Sequence, residues 1–189
     1  MYRQEMILME MIKNQEGGYS NDPKDRGGET YLGISRVYFP KWEGWKIVDE
    51  HKPLKRYEVI IDGNLEDMVT KFYETNFYEP SKAELIRDPL IAAHVFSHAV
   101  NGGKVTVAKM LQRAINKTFN SGLAVDGKIG PKTLQIVNGN VRNNSLRDNM
   151  ATERRKFYYD IVKRKPQKQK FLKGWLNRIE NTIYWGNRV

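Results

Sequence analysis

Glu16 and Asp25 stand nine residues apart in the run Glu16-Gly17-Gly18-Tyr19-Ser20-Asn21-Asp22-Pro23-Lys24-Asp25-Arg26-Gly27-Gly28-Glu29-Thr30. Two carboxyl groups are what cleavage of a glycosidic bond asks for. One protonates the leaving oxygen, and the other holds the attacking water or shields the positive charge that builds on the sugar ring. Upstream of Glu16, Ile7, Leu8, Met11 and Ile12 recur at helical spacing, and Gly17-Gly18 supply a left-handed stop. The pattern therefore sets Glu16 at a helix C-terminus. There the negative end of the macrodipole, together with shielding in a cleft, raises a carboxyl pKa toward that of a usable general acid. A solvated helix-end glutamate fits the same spacing. Asp25, beside Arg26 in a polar loop, is expected to stay ionised and to orient water, with Thr30 sharing that water. The competing reading of Asp25 is a turn residue satisfying nearby amides, and Asp22 before Pro23 reads as turn chemistry.

The elements that must carry these groups are mostly helical. Leu65, Met68, Val69, Phe72 and Tyr73 mark one helix face, and Val107, Met110, Leu111, Ala114 and Ile115 mark another. Further helices are expected over 89–100, 131–137, 146–162 and 171–184. Residues 32–62 differ, being rich in Gly, Pro, Trp and Tyr, and Tyr57, Val59 and Ile61 alternate as a short strand or an extended segment would. The expected fold is mainly α, a lysozyme-like single compact unit with a small extended or β segment. A chain of 189 residues with 40% hydrophobic content suffices for one good core. The one division the chain offers lies near residue 90, giving segments 1–90 and 91–189. Residues 1–90 carry 13 Lys/Arg and 17 Asp/Glu, a balance of −4, whereas residues 91–189 carry 19 and 5, a balance of +14.

The basic half seeks an anionic partner: a nucleic acid, an acidic membrane surface or a carboxylate-bearing wall polymer. Its densest tract is Lys163-Arg164-Lys165-Pro166-Gln167-Lys168-Gln169-Lys170. With no cysteine, the chain has neither disulfides nor thiolate metal sites. His94 and His98 share a helix face but lack the HExxH pattern and a third ligand, so neither a metal nor a cofactor is expected. No apolar run is long enough to span a bilayer, and the start Met1-Tyr2-Arg3-Gln4-Glu5 lacks the layout of a secretory signal. Synthesis in a bacterial or phage-infected cytoplasm, with another route to the wall, is the expectation. Tyr19, Tyr31 and Tyr73 offer flat surfaces to a sugar ring or belong to the core. Asn101, before Gly102-Gly103, either caps a helix end or donates to an N-acetyl group. The DGxxGPxT stretch from Asp126 to Thr133 reads as a helix-entry device, and Trp175, Leu176 and Ile179 as the buried face of the last helix.

The stretch EGGYSNDPKDRGGETYLGIS resembles the signature of glycoside hydrolase family 108, muramidases also called secretion activator proteins. The resemblance continues through Phe72 to Tyr78, Ala99 to Gly103, Leu111 to Ala114, Asp126 to Thr133 and Gly174 to Arg178. It implies cleavage of the β-1,4 bond between N-acetylmuramic acid and N-acetylglucosamine, with Glu16 as the acid. It also implies a peptidoglycan-binding region in the second half. The order of Glu16, Asp25 and Thr30 is similar to the catalytic trio of T-even phage lysozymes, although Thr30 comes one residue early. Ser97 departs from the family, which often carries Asp there. Two other readings compete: a catalytically silent wall-binding or secretion accessory protein, and, from charge alone, a nucleic-acid binder.

Overall fold

The computed structural model describes residues 3–22 and 27–188. Eight α-helices form among them: α1 (Arg3–Glu16), α2 (Gly44–Glu50), α3 (Gly63–Tyr73), α4 (Pro89–Gly102), α5 (Lys104–Phe119), α6 (Pro131–Gly139), α7 (Asn144–Arg164) and α8 (Gln169–Gly186). One small antiparallel sheet runs in the order β1 (Tyr19–Asn21), β2 (Glu29–Tyr31), β3 (Ile34–Ser35). The fold is mainly α, as the periodicity predicts. The chain divides into two compact units, residues 12–74 and residues 1–11 with 75–189.

In the larger unit, α4 is the central element. Nearly every residue from Leu90 to Ala99 is buried, and α5, α7 and α8 pack against it. Its start follows from sequence: Asp88 accepts from the amides of Leu90 and Ile91, and Pro89 sits where a helix needs no amide donor. Asp88 also accepts from the Arg142 amide at 2.6 Å and from Arg147 Nε at 3.0 Å, which ties α4 to α7. Ala151, Tyr158, Leu172 and Ile179 form an apolar cluster between α7 and α8, with Trp175 and Leu176 against it. Gln112 closes the helix-entry loop by donating to Asp126 Oδ1 at 2.7 Å and accepting from the Gly127 amide at 2.9 Å. That turn ends where Pro131 starts α6.

The same core holds a fully buried cation. Arg154 of α7 reaches His94 Nδ1 at 2.8 Å, Ser97 Oγ at 3.2 Å and Thr182 Oγ1 at 3.3 Å, all uncharged partners. Burial lowers its pKa to about 10, so it stays cationic at neutral pH. Burial, then the Arg154 charge, holds His94 well below its ordinary range, and the same causes bring His98 down to about 3. Arg154 Nε, His94 Nε2 and His98 Nε2 have no hydrogen-bond partner among the described residues.

In the smaller unit the structure decides what the sequence reading left open. Residues 57–62 form no strand. Tyr57 takes φ of 67°, and the segment meets β1 through only two backbone bonds, Tyr19 N to Glu58 O at 2.8 Å and Tyr57 N to Tyr19 O at 2.7 Å. The sheet instead lies within 19–35, and the aromatic-rich segment after it contains α2, with Trp45 and Val48 buried.

Candidate active site

α1 ends at Glu16 and Gly17 takes φ of +72°, the left-handed stop that the paired glycines predict. Gly18 is fixed by a close approach: a Cβ there would stand 2.4 Å from the Glu58 carbonyl oxygen, so only glycine lets β1 lie against that segment. The chain then makes β1, and β2 and β3 return as a hairpin closed by Tyr31 and Ile34. Its two turn residues, Leu32 and Gly33, have φ of 44° and 78°, the pair of positive values that a two-residue hairpin needs to match strand twist.

This turn positions the acid. A Cβ on Gly33 would stand 2.6 Å from Glu16 Oε2 and 2.7 Å from Tyr73 Oη, so the carboxylate and the phenol both close on the bare Cα of Gly33. Tyr73 donates to the Leu32 carbonyl at 2.6 Å, and the Leu32 amide donates to the Gly18 carbonyl at 3.2 Å. Helix end, hairpin turn and the last residue of α3 thus converge on one half-buried carboxyl group.

The two faces of the sheet have different chemistry. Ser20, Thr30 and Ser35 are direct cross-strand partners, a row of hydroxyls on one face. Ser35 donates to the Gly27 carbonyl at 2.6 Å. On the other face Tyr19 opposes Tyr31. Tyr31 is 1% exposed, its hydroxyl accepts from the Ile60 amide at 3.1 Å, and Trp42 stacks on its ring at 6.5 Å. Tyr19 is 7% exposed and Tyr73 2%. The sequence left these tyrosines open between sugar platform and core, and their burial gives them core packing, with polar tips tied inside the unit. Burial raises the pKa of both Tyr19 and Tyr31.

Beside β1 runs an open groove of about 390 Å³ lined by Tyr19, Ser20, Asn21, Asp22, Leu54 and Arg56. Behind the tyrosines lies a charge lattice absent from the sequence reading. Tyr19 donates to Glu29 Oε1 at 2.9 Å, and Lys52 Nζ lies 2.6 Å from the same oxygen. Arg36 Nε lies 2.6 Å from Glu29 Oε2, an ion pair without hydrogen-bond alignment. Arg36 also donates twice to Asp49, at 2.6 and 3.1 Å, and its guanidinium lies 4.3 Å over the Trp45 ring. These bonds, from Arg36 first and then Lys52, lower the Asp49 pKa. Burial works against the Lys52 ammonium, but its bonds to Asp49 and Glu29 outweigh that and its pKa is raised. No periodicity betrays this lattice, because its members come from a strand, a loop and a short helix.

Of the remaining expected residues, Asp25 lies outside the described residues. Thr30 stands on the hydroxyl face of β2. Asn101 belongs to the other unit, within the last turn of α4, and donates to Tyr158 Oη at 2.7 Å. No helix among the described residues is long and apolar enough to cross a membrane.

Comparisons with known proteins agree with this architecture. Residues 106–180 match the family described as a predicted peptidoglycan domain. Among solved structures the chain is similar to SagA of Brucella abortus, with a TM-score of 0.65 and 22% identity over 97% of this chain and 94% of that one, a likeness of fold. No curated protein matches. Residues 9–103, half of the chain and the whole of the Glu16 hairpin arrangement, match the model of glycosyl hydrolase 108, and the chain belongs to that family of glycoside hydrolases acting on peptidoglycan.

Proposed function

We propose that the chain is an N-acetylmuramidase that cleaves the β-1,4 bond between N-acetylmuramic acid and N-acetylglucosamine, with Glu16 as general acid. The observation that carries this reading is the Glu16 carboxylate at the end of α1, packed against Gly33 in the hairpin turn that Tyr73 holds. A proton donor must keep a fixed aim at the leaving oxygen, and a carboxyl group locked between a helix end and a hairpin turn has little freedom to swing away. Asp25 and Thr30 take the opposite role, orienting water or shielding the oxocarbenium-like charge. Thr30 has neighbouring hydroxyls in Ser20 and Ser35 that suit a water-holding face. Tyr19 borders the groove that takes the glycan, while Tyr31 and Tyr73 act through the hairpin they hold. Asn101, whose amide donates to Tyr158, offers a contact to an N-acetyl group on segment 91–189. Catalysis belongs to segment 1–90 and retention on the wall to segment 91–189. Its place of action is the cell wall, in keeping with the two peptidoglycan-related families that it matches.

Glu16→Gln keeps the shape of the side chain and removes the proton. It should abolish release of reducing ends from purified sacculi while leaving the far-ultraviolet circular dichroism unchanged. Asp25→Asn should lower turnover more than wall binding. Mass spectrometry of the parent's products should find muramic acid at each new reducing end. Wall clearance by Glu16→Gln at the parent rate would remove Glu16 from the mechanism.

A further inference from the structure

The larger unit carries a second basin in which apolar floor and cationic rim come together. It has a volume of about 320 Å³ and is lined by Ile161, Arg164, Lys165, Lys168 and Trp175, where α7 gives way to α8. Trp175 is held rigidly, stacked on Tyr158 at 5.1 Å and 19°, with Phe171 at 5.9 Å on the same cluster. Lys168 and Lys170 lie 5.0 and 5.1 Å over the Phe171 ring, extending the positive rim. From Ile161 to Trp175 the chain has six Lys or Arg and no Asp or Glu. No carboxylate among the described residues pairs with Arg164, Lys165 or Lys168, whereas Arg113, Arg147 and Arg155 in the same unit each hold an acidic partner. The cations at this basin are therefore available to a ligand.

We infer that this basin binds the carboxylate-bearing stem peptides of peptidoglycan, and not its sugar backbone. The inference rests on the reading of residues 91–189 as the wall-holding segment, and it names what that segment recognises. A phosphodiester polyanion would need the cations but gains nothing from the Ile161 and Trp175 floor. A neutral glycan would use the aromatic ring but not three cations that pair with no carboxylate among the described residues. A short peptide with small aliphatic side chains and a terminal carboxylate uses both, its methyl groups on the floor and its carboxylate at the rim. The basin belongs to the larger unit and the Glu16 hairpin to the smaller, and its role is retention on the wall.

The test uses the full chain with Glu16→Gln, which keeps the wall intact during pelleting. Binding is compared on intact sacculi and on sacculi stripped of peptides by an amidase, whose glycan keeps a lactyl carboxylate on every muramic acid and so loses peptide without losing all charge. The double variant Lys165→Glu/Lys168→Glu should bind intact sacculi roughly tenfold more weakly, as expected for reversing two rim charges. Its Lys→Arg counterpart should bind as the parent does. Stripping should weaken the parent by a similar factor and leave the charge-reversed variant unchanged. Equal weakening of the variant on intact and stripped walls would show general attraction to an anionic polymer and overturn the inference, as would parent-like binding. Reducing-end release from stripped glycan by the parent, measured alongside, reports on the muramidase reading alone. If that release is absent while peptide-dependent binding persists, the catalytic proposal falls and the basin stands.

Discussion

The two units handle buried charge in opposite ways. Around Glu29 in the smaller unit every ionised group faces an opposite one: Arg36 and Lys52 are shared between Glu29 and Asp49, and the cluster keeps partial access to water. Around Arg154 in the larger unit a fully buried cation is surrounded by a histidine and by the hydroxyls of Ser97, Thr182 and Tyr158, with no ion pair to a carboxylate among the described residues. The first arrangement reinforces ionisation, lowering Asp49 and raising Lys52. The second suppresses it, keeping His94 and His98 neutral beside the guanidinium. Energetic weight follows burial more than the number of ion pairs, since pairing in water is worth little and an uncompensated interior charge is costly.

That contrast is open to being broken. Arg154→Ala should produce the largest loss of stability, about 3 kcal/mol by urea denaturation, because it leaves a cavity and takes from His94 Nδ1 its hydrogen-bond partner. Arg154→Met, which fills the space without the charge, should recover most of it. Equal losses for the two variants would mean that the guanidinium bonds outweigh the cost of burying it.

Acid should act next. Because His98 has a folded pKa of about 3, below its unfolded value, the unfolded chain takes up the proton first as pH falls. The contribution is complete about one unit above the unfolded pKa and shrinks as pH falls through it, by roughly 2 kcal/mol between pH 6.5 and 4.5 for His98, with His94 acting in the same direction. Urea midpoints measured across that range should fall, and His98→Gln should flatten the slope. A midpoint constant down to pH 4.5 would contradict neutral buried histidines.

Ser97→Asp sharpens the comparison by giving Arg154 the carboxylate it lacks. The Ser97 hydroxyl already lies 3.2 Å from the guanidinium, so stability at neutral pH should rise by about 1–2 kcal/mol. The new carboxyl pKa would be depressed by the cation, so the gain should hold above pH ~4, the unfolded range, and vanish as pH falls through the folded value. The smallest effect is expected for Glu29→Gln, about 1 kcal/mol or less, since Arg36 and Lys52 keep Asp49 and solvent. A loss comparable to Arg154→Ala would show that the smaller unit is held by its lattice.

Much of the scaffold was legible in sequence because a helix repeats its apolar positions locally. The run Ile7 to Ile12 followed by Gly17-Gly18 put a helix end at Glu16, and α1 ends there. Pro89 and Pro131 announced α4 and α6. The hairpin was not legible, since Leu32 adopts a left-handed conformation without the Asn-Gly or Asp-Gly pair that normally signals such a turn. The alternation at residues 57–62 left strand and extended segment open because the hydrogen bonds of a strand depend on a partner in register, and β1 offers this segment only two. Tyr31 could be read as platform or core until its burial under Trp42 was seen.

By itself the sequence determined the helices, the placing of Glu16 at a helix terminus and the basic character of residues 91–189, since each depends on neighbours along the chain. Only the tertiary structure decided that the Glu16 carboxylate and the Tyr73 hydroxyl both close on Gly33, that Glu29 is clasped by two cations, and that Arg154 has no acid beside it among the described residues. Those facts join residues from distant parts of the chain, and the energy of a buried charge is set by what surrounds it in space, which no local pattern records.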